Sequence, residues 1–324
     1  MRARSLVALA AALPLLLSGC SDSGADKLKS GGGGKKASSS AGDVLVVLPD
    51  DLHLQTVDNV TPVVRTAKLT PAVQQALDKV SAALTTDELV ALNKQVDVDR
   101  KSPEQVATAY VSAKSLATGV SGGSGPLVVG AANFGESQIL ANIYVQALKA
   151  AGFQATVKPV TNREVYEPAL EKGQLDVFPE YVGTLTEFLN KRANGKDAPA
   201  KASSDLAATV TALKALAEPK GLSVLTPSAA ADQNAFAVTK SFATANNLTK
   251  LSDLKNVKTA LVLGGPPECP TRPFCQPGLE RSYGLTFAGF KSLDTGGPLT
   301  KTALKKGEVQ VGLVFSSDGS LGTL

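Results

Sequence analysis

The chain has 324 residues, 43% of them hydrophobic and 19% charged, a composition that excludes a disordered protein and leaves room for two ordinary domains. Its net charge is only +4, part of it from Arg2 and Arg4 near the start, which gives no argument for nucleic acid. A single histidine, His53, argues against a histidine-based metal site or a Ser-His-Asp triad, so no catalytic residue, metal or cofactor is assigned.

Arg2 and Arg4 precede an apolar run from Leu6 to Leu17, followed by Ser18-Gly19-Cys20. The run is too short to count as a spanning helix and reads as a signal segment over 1–19. Leu17-Ser18-Gly19-Cys20 resembles the lipobox of bacterial lipoproteins, which implies a lipid on Cys20. The competing reading is an ordinary signal peptide with an incidental cysteine. Residues 20–42 are rich in Ser, Gly, Lys and Asp and are expected to form a flexible tether with a reach of roughly 25 Å. The protein is then extracytoplasmic, anchored by lipid to the outer face of the cell membrane and not embedded in it.

Val44 to Leu48 reads as a strand ended by Pro49-Asp50-Asp51, and Asn59 to Val64 as a second extended segment. Thr70-Pro71 opens a helix with its apolar face at Val73, Leu77, Val80 and Leu84. Further helices start at Thr86-Asp87-Glu88 and Ser102-Pro103-Glu104. Residues 117–126 are a linker by composition. Then Leu127 to Gly130, Ser137 to Ala151 and Ala155 to Val160 give a β-α-β opening, the usual start of a parallel sheet.

A helix over Glu164–Glu171 ends at Gly173 and leads to a buried strand running into Phe178-Pro179-Glu180-Tyr181-Val182-Gly183-Thr184. A strand's carboxyl end is where open α/β sheets place their ligand crevice. Tyr181 would present a π-face there, Thr184 a hydroxyl, and Gly183 a place for ligand to approach backbone. On this segment alone, a plain strand-to-helix turn with a core tyrosine is the competing reading. Helices follow around Thr184–Asn190 and Asp205–Ala217, a strand at Ala235–Thr239, and a short helix capped at Ser252-Asp253. A strand at Thr259–Leu263, helices at Gly278–Tyr283 and Pro298–Lys305, and a buried strand at Val309–Phe315 complete the chain. Cys269 and Cys275 are close enough to pair outside the cytoplasm, with zinc as the alternative.

Gly130 to Gln138, Phe178 to Thr184, Asp232 to Phe236, Arg272 to Tyr283 and Val314 to Gly319 resemble the substrate-binding components of osmoprotectant ABC importers, which bind glycine betaine, choline and related quaternary amines. Residues 43–116 are similar to that family's carboxyl-terminal part, here at the front, while 127–324 resemble its beginning and middle. The resemblance implies an α/β, two-lobed periplasmic-binding-protein type II fold, circularly permuted, with 117–126 bridging the family's old termini. The competing reading is a rearranged reading frame. One lobe is expected over about 59–116 with 127–230, the other over 231–324 with 43–58, and a hinge near Asp58 and Ala231.

The resemblance also implies a ligand cage. A trimethylammonium group has no N–H to donate, so aromatic faces must hold it. The matching positions are Tyr181, Phe236 and Phe315, the last two more often Tyr in the family. Arg272, Thr184, Asn234 and Ser137 are the expected partners of a ligand carboxylate. Ser137 stands where many members carry Gln, and Ala132 where some carry Lys. Asp318 is expected either to hold its loop or to face the cation. The implied partners are a quaternary amine, an ABC permease and its ATPase, with the binding protein a monomer. A different small polar or aromatic solute on the same fold, or a surface lipoprotein without a transport role, are the alternatives.

Overall fold

The computed structural model describes residues 43–323, so the signal segment, Cys20 and the tether expected over 20–42 lie outside the described residues. Two strands come first, β1 (Leu45–Leu48) and β2 (Val60–Arg65), and then three helices whose starts are set by local chemistry. The Thr70 hydroxyl accepts from the Val73 amide ahead of α1 (Pro71–Ala83), with Pro71 in the first turn. Reciprocal capping boxes, Thr85 with Glu88 and Ser102 with Gln105, open α2 (Thr86–Asp97) and α3 (Pro103–Ala113).

After β3 (Pro126–Ala131), all three helices pack on α4 (Gly135–Ala150). Leu77, Leu89 and Val106 join Ile139, Ile143 and Tyr144 in one buried cluster. β4 (Gln154–Pro159), α5 (Arg163–Glu171), β5 (Val177–Tyr181), α6 (Val182–Asn194), α7 (Leu206–Ala217) and β6 (Leu222–Val224) follow. They complete a five-stranded sheet in the order β4-β3-β5-β2-β6. Within it β3 runs parallel to β4 and β5, while β2 is antiparallel to β5 and β6. All five residues of β5 are buried.

The second sheet is built from β7 (Asn234–Thr239), α8 (Lys240–Ala245), β8 (Val262–Gly265), α9 (Gln276–Tyr283), β9 (Gly289–Ser292), α10 (Pro298–Lys305), β10 (Val311–Phe315) and β11 (Gly322–Thr323). Its order is β11-β1-β7-β10-β8-β9. The front strand β1 lies inside it, antiparallel to β7 and parallel to β11. The chain therefore passes between the sheets twice, before β2 and before β7, and the two passages touch where Asn59 bridges Ala231. Each sheet has its own core, with Leu48, Phe236, Leu263 and Leu313 at the heart of the second.

Several local expectations shift. The strand expected at 259–263 runs over Val262–Gly265, because Thr259 and Ala260 are exposed while Gly264 packs under Leu293 and Val309, where a Cβ would collide. The short helix near Ser252 is a 3-10 turn over Leu251–Asn256. The segment 117–125 is irregular but pinned: Gly123 donates to the Ala151 carbonyl, and Lys79 reaches the Ser115 and Thr118 carbonyls. β6, β9, β11 and α8 carry no alternation or cap that sequence reading had used.

Candidate functional site

The end of β5 and the start of α6 form the wall of a cleft between the two sheets. The Thr184 and Gly183 amides, free at the helix start, donate to Asp58 Oδ1 at 3.0 and 2.8 Å. Asp58 lies on the passage between sheets, so it ties that passage to α6. Gly183 is required here for a reason other than the expected one. A Cβ would strike the Val57 carbonyl oxygen and the Thr56 hydroxyl, so it is the chain's own backbone that approaches this glycine.

The cleft is open to solvent and is lined from both halves. Phe134, Tyr166, Phe178 and Tyr181 enter from the first sheet's side and Phe315 from the second. Phe134 and Phe315 stack across the cleft with centroids 5.8 Å apart, and Tyr166 stacks on Phe178 at 3.7 Å. The Tyr181 hydroxyl donates to Glu136. The polar tip of Tyr181 is thus already engaged within the wall.

Polar groups share the same walls. Arg163 forks onto Glu180, with Nη2 2.8 Å from Oε2, and also donates to the Thr184 hydroxyl at 3.0 Å. Arg272 reaches Glu164 across the cleft at 3.0 Å and Glu268 at 3.2 Å. Asn234 donates to the Phe274 carbonyl at 3.1 Å. Cys269 and Cys275 are joined by a disulfide, their Cα atoms 5.3 Å apart, and the bridge closes the loop that carries Arg272.

Three buried carboxylates meet at the junction. Glu136 accepts from Asn93, Ser317 and Tyr181, and Asp232 accepts from the Ser317 amide. Burial raises the pKa of both above the usual carboxylate range, and for Asp232 the neighbouring Glu136 charge adds to it. Burial also pushes Asp58 up to about 7, against the pull of the α6 amides and Arg163.

Of the residues singled out from sequence, Tyr181, Thr184, Asn234, Arg272 and Phe315 line the cleft together. Phe236 does not. Asn234 sits opposite Phe315 at the cleft end of β7, and Phe236 lies two residues deeper, about 7 Å along the strand. There it packs between Leu48 and Leu313 with no exposed surface, as a core residue. Ser137 is turned inward, its hydroxyl accepting from the Ala132 amide to close the loop before α4. Asp318 pairs with Lys301 and caps Ser320, so it holds its own loop.

Sequence reasoning had not assigned Asp58, Phe134, Glu136, Arg163, Tyr166, Phe178 or Asp232. Phe134, Glu136, Phe178 and Asp232 lie inside the very stretches that carried the resemblance, which was the available signal. Asp58 stands in the front block that is similar to the family and marks the expected hinge, while Arg163 and Tyr166 lie outside the matching stretches and carry no signal.

The family described as the substrate binding domain of ABC-type glycine betaine transport systems matches residues 37–113 and 125–324. Over 206 residues the chain is 31% identical to the glycine-betaine-binding protein of Pseudomonas aeruginosa, covering 60% of this chain and 63% of that relative. Over 208 residues it is 27% identical to the glycine betaine-binding protein YehZ of Escherichia coli, covering 61% and 67%. The chain thus spans a little under two thirds of the first of these relatives. A solved structure of a glycine betaine/carnitine/choline ABC transporter protein aligns over 60% of this chain and 70% of its own, with a TM-score of 0.38 and 22% identity.

Proposed function

The chain belongs to the family of substrate-binding domains of ABC-type glycine betaine transport systems, and on that footing we propose that it binds a quaternary-amine osmoprotectant between its sheets and delivers it to a membrane permease and its ATPase. Glycine betaine, choline or a similar compound is the ligand class. The observation that carries this reading is the convergence of Phe134, Tyr181 and Phe315 on one cleft lined from both halves. Each ring can contribute roughly 0.5–2 kcal/mol to a desolvated cation. Two halves joined by two passages also suit a hinge that closes over ligand, as in other two-lobed binding proteins.

Titration calorimetry with glycine betaine, choline and carnitine tests the reading. Micromolar-range binding of at least one, lost in Tyr181→Ala, is the expected result. Flat traces for all three, from folded protein, would overturn it.

The same reading takes the chain as a circular permutant of the two-lobed binding-protein fold. Support comes from the family match, interrupted only over 114–124, and from β1, which lies beside β11 at the far end of the chain. Moving 43–116 behind Leu324 should then give a protein that folds and binds the same ligand; a rearranged chain that cannot fold counts against it. Anchoring through Cys20 is part of the proposal, with the protein acting as an extracytoplasmic monomer. No helix among the described residues is long and apolar enough to cross a membrane. Labelling with a radioactive fatty acid that persists in Cys20→Ser would refute the anchor.

A further inference from the structure

We propose that the cleft selects a quaternary ammonium of net positive charge with a neutral hydroxyl end, and disfavours zwitterions whose own carboxylate offsets the ammonium. This narrows the function proposed above and rests on it.

The ground is how the charges around the cleft are matched. Its two cations are already engaged. Arg163 is forked onto Glu180, and Arg272 lies between Glu164 and Glu268. A ligand carboxylate approaching either guanidinium would have to share it with a carboxylate already in place. Above pH 7 it would also enter beside an ionised Asp58, and like charges brought together in a poorly solvated site repel strongly.

The acids hold no ion pair of their own, although Arg163 favours the ionised form of Asp58 from beyond contact distance. Among the described residues no Lys or Arg lies within ion-pair distance of Asp58, Asp232 or Glu136. Asp58 is 5% exposed and lines the cavity. Its Oδ1 takes the two α6 amides, while its Oδ2 receives no hydrogen bond from any described residue. Glu136 accepts from the neutral groups of Asn93, Tyr181 and Ser317 and lies in hydrogen-bond contact with Asp232. Buried carboxylates without a counter-ion are costly, and a cation among the aromatic rings would offset that cost. The free Oδ2 of Asp58 is an acceptor for a donor group, so a hydroxyl on the ligand fits where a carboxylate does not. Burial is the main cause of the raised pKa of all three acids, and for Asp232 the neighbouring Glu136 charge adds to it.

Choline and glycine betaine are the probes that separate these cases. Calorimetry at pH 8 and matched ionic strength should give choline a dissociation constant at least about tenfold below that of betaine. Asp58→Asn keeps the Oδ1 acceptor for the α6 amides and should shrink that ratio severalfold, with a melting curve reporting folding. Glu268→Gln, at the rim of the same cavity, is the second variant should Asp58→Asn fail to fold. Betaine binding as tightly as choline, or more tightly, would overturn the inference while leaving the proposed function in place. Binding of neither overturns both. A ratio unchanged in both variants overturns the role given to these carboxylates.

Discussion

Arg272 and Glu164 join the two halves of the molecule directly, the guanidinium Nη2 standing 3.0 Å from Glu164 Oε2. The two residues belong to different sheets' elements, so the bond exists only while the cleft is closed to this width. Both side chains are partly exposed, at 28% and 40%, and such pairs contribute about 0.2–1 kcal/mol. Glu164→Gln is therefore expected to leave the melting temperature almost unchanged. It should instead speed ligand release by up to about fivefold, because closure loses that fraction of its stabilisation. Stopped-flow displacement of bound ligand measures this; an unchanged release rate would show that the pair does not hold the cleft shut.

Asp58 makes stability depend on pH in a direction opposite to that of an ordinary salt-bridged aspartate. Its carboxyl is pushed from 3.8 up to about 7 by burial, while Glu180 opposes and Arg163 favours its ionisation. Between these values the folded protein holds a proton that the unfolded chain has released. Stability from this group is greatest near pH 4, falls as pH rises towards 7, and levels off above it. Glu136 and Asp232, also raised, act in the same direction. Chemical denaturation of ligand-free protein should lose about 2–4 kcal/mol between pH 5 and 8. Asp58→Asn should flatten much of that slope, and a saturating cationic ligand should flatten it as well. Stability that climbs steadily from pH 5 to 8 would contradict the assignment.

Gly183→Ala tests the join between α6 and the passage carrying Asp58. The new methyl has nowhere to go except against the Val57 carbonyl and the Thr56 hydroxyl. Either α6 shifts and its amides lose Asp58, or the passage moves. Overpacking against backbone typically costs about 1–3 kcal/mol, and loss of the Asp58 contacts adds to that. Urea denaturation should register a loss of at least about 2 kcal/mol. Ligand affinity should fall with it, since Thr184 and Tyr181 flank the same turn.

Much of the fold was legible because its signals are local. Thr70-Pro71 and the Ser102–Gln105 box start helices whatever surrounds them, and Val311–Phe315 is apolar enough to be a buried strand in any context. The cleft was legible in part, through Tyr181, Thr184, Asn234, Arg272 and Phe315. What escaped was everything that depends on convergence. Asp58, Glu136 and Asp232 lie far apart in sequence and become one acidic junction only when both passages meet beside α4. None of the three stands in a motif that distinguishes a buried carboxylate from a solvated one. Phe236 failed in the opposite way. It stands one strand repeat from Asn234, on the same face, and only the depth of the strand separates a cage wall from a core side chain.

That distinction between Phe236 and Phe315 can be measured. Phe236 is fully buried between Leu48 and Leu313, so Phe236→Ala should leave a cavity and cost about 3–5 kcal/mol of stability. In protein that remains folded, its effect on affinity should be small. Phe315 is half-buried at the cleft end of β10 and stacks on Phe134. Phe315→Ala should cost far less stability and weaken ligand binding about five- to thirtyfold, the loss of one aromatic face from a desolvated cation. Phe315→Tyr keeps that face and should retain most of the affinity, whereas Phe315→Leu keeps the bulk and should not. If Phe315→Leu bound as well as the parent, the ring would be serving as packing alone, and the cage would have to close on Phe134 and Tyr181.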